Sequence, residues 1–519
     1  MTPNNPDSMS YTPLYVICGY LVLLLGLGVF SARFFRGTSS DFFVASRSIG
    51  PFMLLMSVFG TTMTAFALVG STGKAYTTGI GVYGLMASWS ALIHSAVFFL
   101  VGIRCWAIGK KYGYVTQCQF FRDRFESPAL GYILFPILVA LIIPYLLIGL
   151  LGAGAVMGGV TRGMFPEAFA STNGAIPPWL TSLVICGVVL TYVFLGGVRS
   201  TAWANTFQTL VFMVTGIIAF FMIARALGGL GEATGLVEAN APDLLAREGL
   251  IGKRQFLTYM FVPLSVGMFP HLFQHWLTAR SAKTFHLTVV FHPICIAVVW
   301  VPCILIGIWA AGSPDIGLPA AKANAVLGVM VAKLVHSPFL SGLLTAGILA
   351  AIMSSLDSQF MCIGTMFTND IVARVVKKRA LSDAQKLWVG RGFVVAIVIV
   401  TFLFSLANPR KVFDLGVWCF SGFGSLFPLV FAAVYWKRAT RTGAIACVLA
   451  TAVTWLYFFA RADFGAAPEH ETLVWGMMPV AFIFAASCLG MVLGSLATKP
   501  PPENIVRKFF PDRREQKAD

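Results

Sequence analysis

The sequence predicts an all-α polytopic membrane protein, and three observations carry that prediction: too few charges for a water-facing surface, thirteen apolar runs of span length, and a Lys/Arg bias between alternate loops. The 519 residues are 57% hydrophobic and 11% charged. Soluble domains run near 45–50% apolar and about 25% charged. A bilayer instead accepts helices of roughly 20 apolar residues. Apolar runs occupy about 12–32, 51–70, 79–103, 129–152, 178–197, 205–227, 256–276, 287–310, 338–363, 388–407, 413–435, 443–460 and 473–497. Thirteen spans put the termini on opposite sides. With the N-terminus outside, inside segments hold 26 of the 37 Lys and Arg. That bias predicts N-out, C-in by the positive-inside rule. The net charge of +16 is therefore a topology signal and no indication of nucleic-acid binding.

The organisation follows from the spans. Residues 1–40 form an external N-terminus and first peripheral helix, and 41–227 and 228–435 two five-helix repeats, the second with external loops. Residues 436–498 form two C-terminal peripheral helices, and 499–519 a basic cytoplasmic tail read as disordered. An Ala-rich stretch, 319–335, reads as a short interfacial helix. Residues 1–11 contain no basic residue, so no cleavable signal peptide is expected. The ten cysteines show no C-x-x-C spacing and read as buried free thiols.

Two spans read as interrupted. The second carries Gly60-Thr61-Thr62-Met63-Thr64 at its centre; the seventh carries Pro263, Gly267 and Pro270, then His271, Gln274 and His275. Lying five helices apart, they enter the membrane from opposite sides. This is the pattern of a five-plus-five inverted repeat with a midplane site. A packing kink is the alternative for either break alone.

Of 21 acidic residues, only Asp357 sits deep in an apolar run. An acid at membrane depth marks a functional site by default. Ser354, Asp357 and Ser358 are spaced i, i+3, i+4 and share a helical face. Hard oxygens with one carboxylate suit a small monovalent cation better than zinc. The bland reading, equally weighted on spacing alone, is serines bonded back to their own helix and a protonated Asp357 bridging helices.

Four segments resemble the sodium:solute symporter family: A350-A-I-M-S-S-L-D-S358, L195-G-G-V-R-S-T-A-W-A-N-T-F-Q208, D41-F-F-V-A-S-R-S-I-G50 and T116-Q-C-Q-F-F-R-D-R-F125. The resemblance implies a LeuT-like core with Na+ as coupling ion. By position it implies a sodium site of the Gly60, Met63 and Ala351 carbonyls with the Ser354 and Ser355 hydroxyls. Where the family has W-T-D this chain has Asn205, and Asp357 stands where many members have a small or hydroxyl residue. The carboxylate has then moved between helices, and Asp357, Ser358, Asn205 and Ser354 form a second sodium site; loss of that site is the alternative.

Substrate candidates are Thr62, Thr64 and Phe66; Trp89 and His94; Phe269, His271 and Gln274; and Trp418 and Phe420. Core packing is the competing role for each aromatic. F269-P-H271 resembles the Pro-His pair of monocarboxylate- and pantothenate-type members. A histidine donor beside helix-end amides suits a carboxylate. Lys74, in the G70-S-T-G-K loop, reads as solvated.

The expected function is a sodium-coupled symporter importing a small organic solute, with a carboxylate as the expected class. It belongs in the plasma membrane (the inner membrane if bacterial), with the lipid bilayer as its surroundings and no obligate protein partner. Proton coupling through Asp357 is the main rival. A non-transporting sensor is disfavoured by the short tail, and no nucleophile–base pair, zinc spacing or phosphate loop suggests an enzyme.

Overall fold

A computed structural model describes residues 10–33, 38–246, 250–375, 382–406, 411–467 and 469–511. The tail reading for 512–519 lies outside the described residues, as does the N-terminal reading for 1–9. Among the described residues the chain is helical throughout, with two isolated β-bridges. The principal helices are α1 (Thr12–Ala32), α2 (Pro51–Thr62), α3 (Phe66–Thr78), α4 (Gly81–Tyr112), α5 (Pro128–Val160), α6 (Pro178–Ala226), α7 (Lys253–Gly267), α8 (Pro270–Thr278), α9 (Ala282–Gly312), α10 (Pro338–Val375), α11 (Asp383–Ser405), α12 (Val412–Tyr435), α13 (Arg441–Arg461), α14 (Pro479–Leu496) and α15 (Glu503–Phe509).

Among the described residues ten helices are individually long and apolar enough to cross a bilayer, and two broken pairs, α2–α3 and α7–α8, bring the number to twelve. The 49-residue α6 would measure about 73 Å if straight, more than twice the roughly 30 Å of a hydrocarbon core. Two helices meet within it at Gly197 (φ 58°, ψ −148°), where a side chain would strike the ring and carbonyl of Phe42. Helix α10 is the hub. From Leu344 to Met366 every residue is buried, against α6, α1, α5, α11 and α2. A helix apolar on all sides belongs at the centre of a bundle. Helices α13 and α14 pack chiefly on each other at the periphery.

Segment 39–49 ties the halves together at one end of the bundle. Ala45, Ser46 and Arg47 all have positive φ (48°, 51°, 53°), a conformation costly for residues bearing a Cβ. An ion pair of 2.6 Å between Asp41 and Arg199 holds it, and the Arg47 guanidinium donates to the carbonyls of Leu277 (3.2 Å) and Tyr114 (2.6 Å).

Three local expectations change. Residues 503–509 of the tail are helical: Ile505 and Phe509 are buried, and Lys508 pairs with Asp123. Apolar anchors between the basic residues give this segment a face to bury. Lys74 lies in α3 and not in a loop, 3.6 Å from Asp414, with its side chain mostly buried. The Ala-rich stretch forms a 3-10 turn and the helix Val326–Leu334, largely buried against α5, α9 and α10.

Candidate functional site

The polar, weakly helix-forming run at 60–64 breaks its helix, and the two halves meet at 56°. Met63 turns out of the helix (φ −88°, ψ 86°). Its N–H donates to the Phe59 carbonyl at 3.0 Å, and the ladder resumes with Ala67 donating to Thr64 at 2.9 Å. The carbonyls of Gly60 to Met63 fall between these two ladders, as at any helix end, and are open to other partners. Ser354 on α10 takes one: its hydroxyl donates to the Gly60 carbonyl at 2.8 Å and lies 2.9 Å from that of Ala351. Ser355 turns its hydroxyl to Ile352 at 2.9 Å. All five residues of the expected sodium site are buried. Glycine is needed at position 60 because a Cβ there would stand 2.2 Å from the Thr209 hydroxyl of α6.

One turn further along α10, the fully buried Asp357 carboxylate accepts from Tyr192 at 2.9 Å, and the Ser358 hydroxyl lies 3.1 Å away. In the orientation that satisfies both its neighbours, the Asn205 amide donates to the two carboxylate oxygens at 2.9 and 3.1 Å and accepts from Ser358 at 2.9 Å. His275 Nε2 is 3.0 Å from the same hydroxyl. Tyr192, Asn205 and Ser358 are all neutral, and a buried carboxylate among neutral donors is costly unless a cation or a proton accompanies it.

The second break lies between Gly267 and Pro270, where Met268 and Phe269 leave the helix and the pair bends by 49°. Proline at the first position of α8 suits the restart, since its missing N–H would lack a partner anyway. His271 stacks on Phe269 (ring centroids 5.1 Å) and faces Tyr145 (5.6 Å). Phe420 lies 4.9 Å from Tyr145 and 4.8 Å from Phe66. In this aromatic box His271 is fully buried, and neither ring nitrogen has a hydrogen-bond partner among the described residues.

A family model for the sodium:solute symporter family matches residues 42–450. The chain belongs to this family. It is 26% identical to a sodium/proline symporter of Haemophilus influenzae over 513 residues, covering 94% of this chain and 95% of that protein. It is 25% identical to a sodium/pantothenate symporter of Escherichia coli over 451 residues, 83% of this chain and 87% of that one. A solved Na+-coupled sialic acid symporter superposes with a TM-score of 0.73 at 18% identity, over 95% of this chain and 99% of that one. The structure of MhsT in complex with L-phenylalanine gives 0.53 at 13% identity, over 86% of this chain and 98% of that one. The fold is LeuT-like, and this family member is a sodium-coupled transporter of the plasma membrane, not an enzyme.

Not every expected residue reaches the two breaks. Phe66, Phe269, His271 and Phe420 converge. Thr64 serves the backbone, its hydroxyl accepting from Phe66 N–H at 3.0 Å to restart α3. Thr62 points elsewhere, 3.3 Å from His292, whose ring lies 5.3 Å from that of His94. Gln274 bridges the Phe43 carbonyl (2.7 Å) and Thr365 (2.9 Å). Trp89 donates to the Phe256 carbonyl, and Trp418 packs on Phe459, away from the box. Tyr145, Tyr192 and Thr209 stand at the site without a sequence signal, being single polar groups on apolar helices.

Proposed function

We propose that the protein imports a small organic solute bearing a carboxylate, together with one or two sodium ions, by alternating access. The reading is carried by the Ser354 hydroxyl seated on the carbonyl that the first helix break sets free. In it, sodium bridges α2–α3 to α10 through the carbonyls of Gly60, Met63 and Ala351 and the hydroxyls of Ser354 and Ser355. Five neutral oxygens hold a monovalent ion without trapping it, so it leaves where sodium is low. The second sodium lies with Asp357, Ser354, Ser358 and Asn205, where the carboxylate supplies the charge.

The solute lies against the second break. His271 and the first amides of α8 face its carboxylate, and Phe66, Tyr145, Phe269 and Phe420 flank its apolar part. Proline and pantothenate, named for two of the relatives, both carry a carboxylate. Sodium and solute favour the same state and so raise each other's affinity equally. Release requires the 39–49 segment to part from Arg199, Leu277 and Tyr114.

One charge moved through about 100 mV is worth about 2.3 kcal/mol, and a roughly tenfold gradient adds about 1.4. For a monoanion carried with one sodium the electrical part vanishes, and a second sodium restores it. Neutral donors around Asp357 equally favour a proton as the compensating cation. Uptake into proteoliposomes of short carboxylates, amino acids and sugars, with and without a sodium gradient, tests the reading. Sodium-driven accumulation of carboxylates is the expected result. Accumulation without sodium that collapses with a protonophore would transfer the coupling to a proton. One sodium per solute would end the two-ion version.

A further inference from the structure

The basic tail and the cytoplasmic loops take no part in the transport site, yet they enclose a cavity of about 320 Å³. Its lining includes Arg124, Glu126, Thr440, Arg441, Thr498 and Lys499. Three cations thus face one acid, and Glu126, Arg441 and Lys499 are all exposed. Among the described residues no ion pair engages Arg441 or Lys499.

The cavity also receives the N-terminus of the 21-residue α13, capped by Thr440, whose hydroxyl accepts from Gly443 N–H at 3.3 Å. The amides of Arg441 and Thr442 precede that bond in the first turn, where a helix offers unsatisfied donors and a positive dipole end. Arg124 supplies an independent sign of a ligand. Its side chain is fully buried; Nε donates to the Ala433 carbonyl (2.9 Å) and Nη2 to that of Trp436 (3.0 Å), while Nη1 has no partner among the described residues. Phe125, Phe509 and Phe510 flank the guanidinium, so the docked tail helix closes over it. Burial lowers this guanidinium to about 10, so it remains cationic at neutral pH.

We propose that this cavity binds a phosphate group, carried by an anionic lipid headgroup or by a free phosphate. Phosphate oxygens would accept from the unpartnered Nη1 of Arg124, the Arg441 guanidinium and the first amides of α13, with Lys499 as a point charge beside them. The positive-inside bias puts this end of the bundle at the cytoplasmic leaflet, where basic pockets between helices take anionic headgroups. The inference is independent of where sodium and solute bind.

Thermal unfolding of the full chain separates the two sources. One arm compares nanodiscs of phosphatidylcholine alone with nanodiscs containing phosphatidylglycerol; the other adds inorganic phosphate to the protein in detergent. The account expects a rise in Tm in at least one arm. It also expects affinity to fall about fivefold for each cation removed, and roughly 25-fold in the double variant R441Q/K499Q. A rise with phosphatidylglycerol only identifies a headgroup, and a rise with phosphate only identifies a soluble ligand. Sodium-driven uptake at saturating solute serves as the folding control and should be unchanged in the double variant. No rise in either arm, or a rise of equal size in R441Q/K499Q, overturns the proposal.

Discussion

The first break, at Gly60–Met63, and the second, at Gly267–Phe269, bend their helices by 56° and 49°, yet their surroundings differ in kind. Around the first, hydroxyls of Ser354 and Thr209 close on the backbone, and the Gly60 carbonyl already has a hydrogen-bonded neighbour. Around the second, aromatic rings enclose an imidazole that has no hydrogen-bond partner among the described residues. Main-chain oxygens freed from the helix ladder, beside neutral hydroxyls, have the chemistry that the proposed sodium site needs. An unsatisfied buried donor among rings makes a place for a polar group on an apolar body, because leaving that donor unpaired costs about 1–3 kcal/mol. One architectural device, used twice, thereby has an oxygen-lined setting at one break and an aromatic one at the other, and the proposed function assigns the coupling ion to the first and the solute to the second.

That contrast breaks most readily at Gly60. Gly60→Ala drives a Cβ into the Thr209 hydroxyl, so sodium-driven uptake should be lost, with a destabilisation of about 1–3 kcal/mol in denaturant unfolding. Adding Thr209→Ala should restore at least part of the uptake. Failure of any rescue would mean that position 60 acts otherwise than through this contact. His271→Ala tests the other break. The half-saturating concentration of a carboxylate solute should rise roughly 10- to 100-fold, the value of a hydrogen bond to a charged group, while sodium still stabilises the protein. A matching loss of sodium response would merge the two sites.

Smaller in rate but specific in kind is Asp357→Asn. It removes the one buried acid of the second cluster, and charge moved per solute, read as current against isotope flux, should fall by one elementary charge. An unchanged ratio would leave Asp357 as a bridge between α10 and α6. Trp89→Phe and Trp418→Phe should change uptake kinetics by less than about twofold, since both rings lie outside the aromatic box.

Much of this was legible in the chain. Charge-poor composition and run lengths give the helical bundle, and Gly, Pro and Thr at 60–64 and 263–270 mark the irregular backbone, since these residues disfavour a continuous helix. The A350–S358 segment marks α10 as the helix that meets the first break, through the Ser354 hydroxyl on the Gly60 carbonyl. Tyr145, Tyr192, Thr209 and His292 were not legible, because each is a lone polar residue whose partner is set by how helices rotate against one another. The same cause hid the partners of Thr62, Gln274, Trp89 and Trp418: periodicity places a residue on a helix face but not against a neighbour. The docked tail helix was hidden for a related reason, since its anchor Phe509 packs on Phe120, Tyr112 and Arg124, which are almost four hundred residues earlier in the chain.

The sodium cage itself is tested most directly by titrating sodium into the purified protein and following its Tm, wild type beside Ser355→Ala. The account predicts a saturable stabilisation by sodium, absent with potassium, whose midpoint moves to at least about tenfold higher sodium in the variant, a change of about 1.4 kcal/mol, with expression and solute-free Tm preserved. An identical midpoint in the two proteins would contradict it.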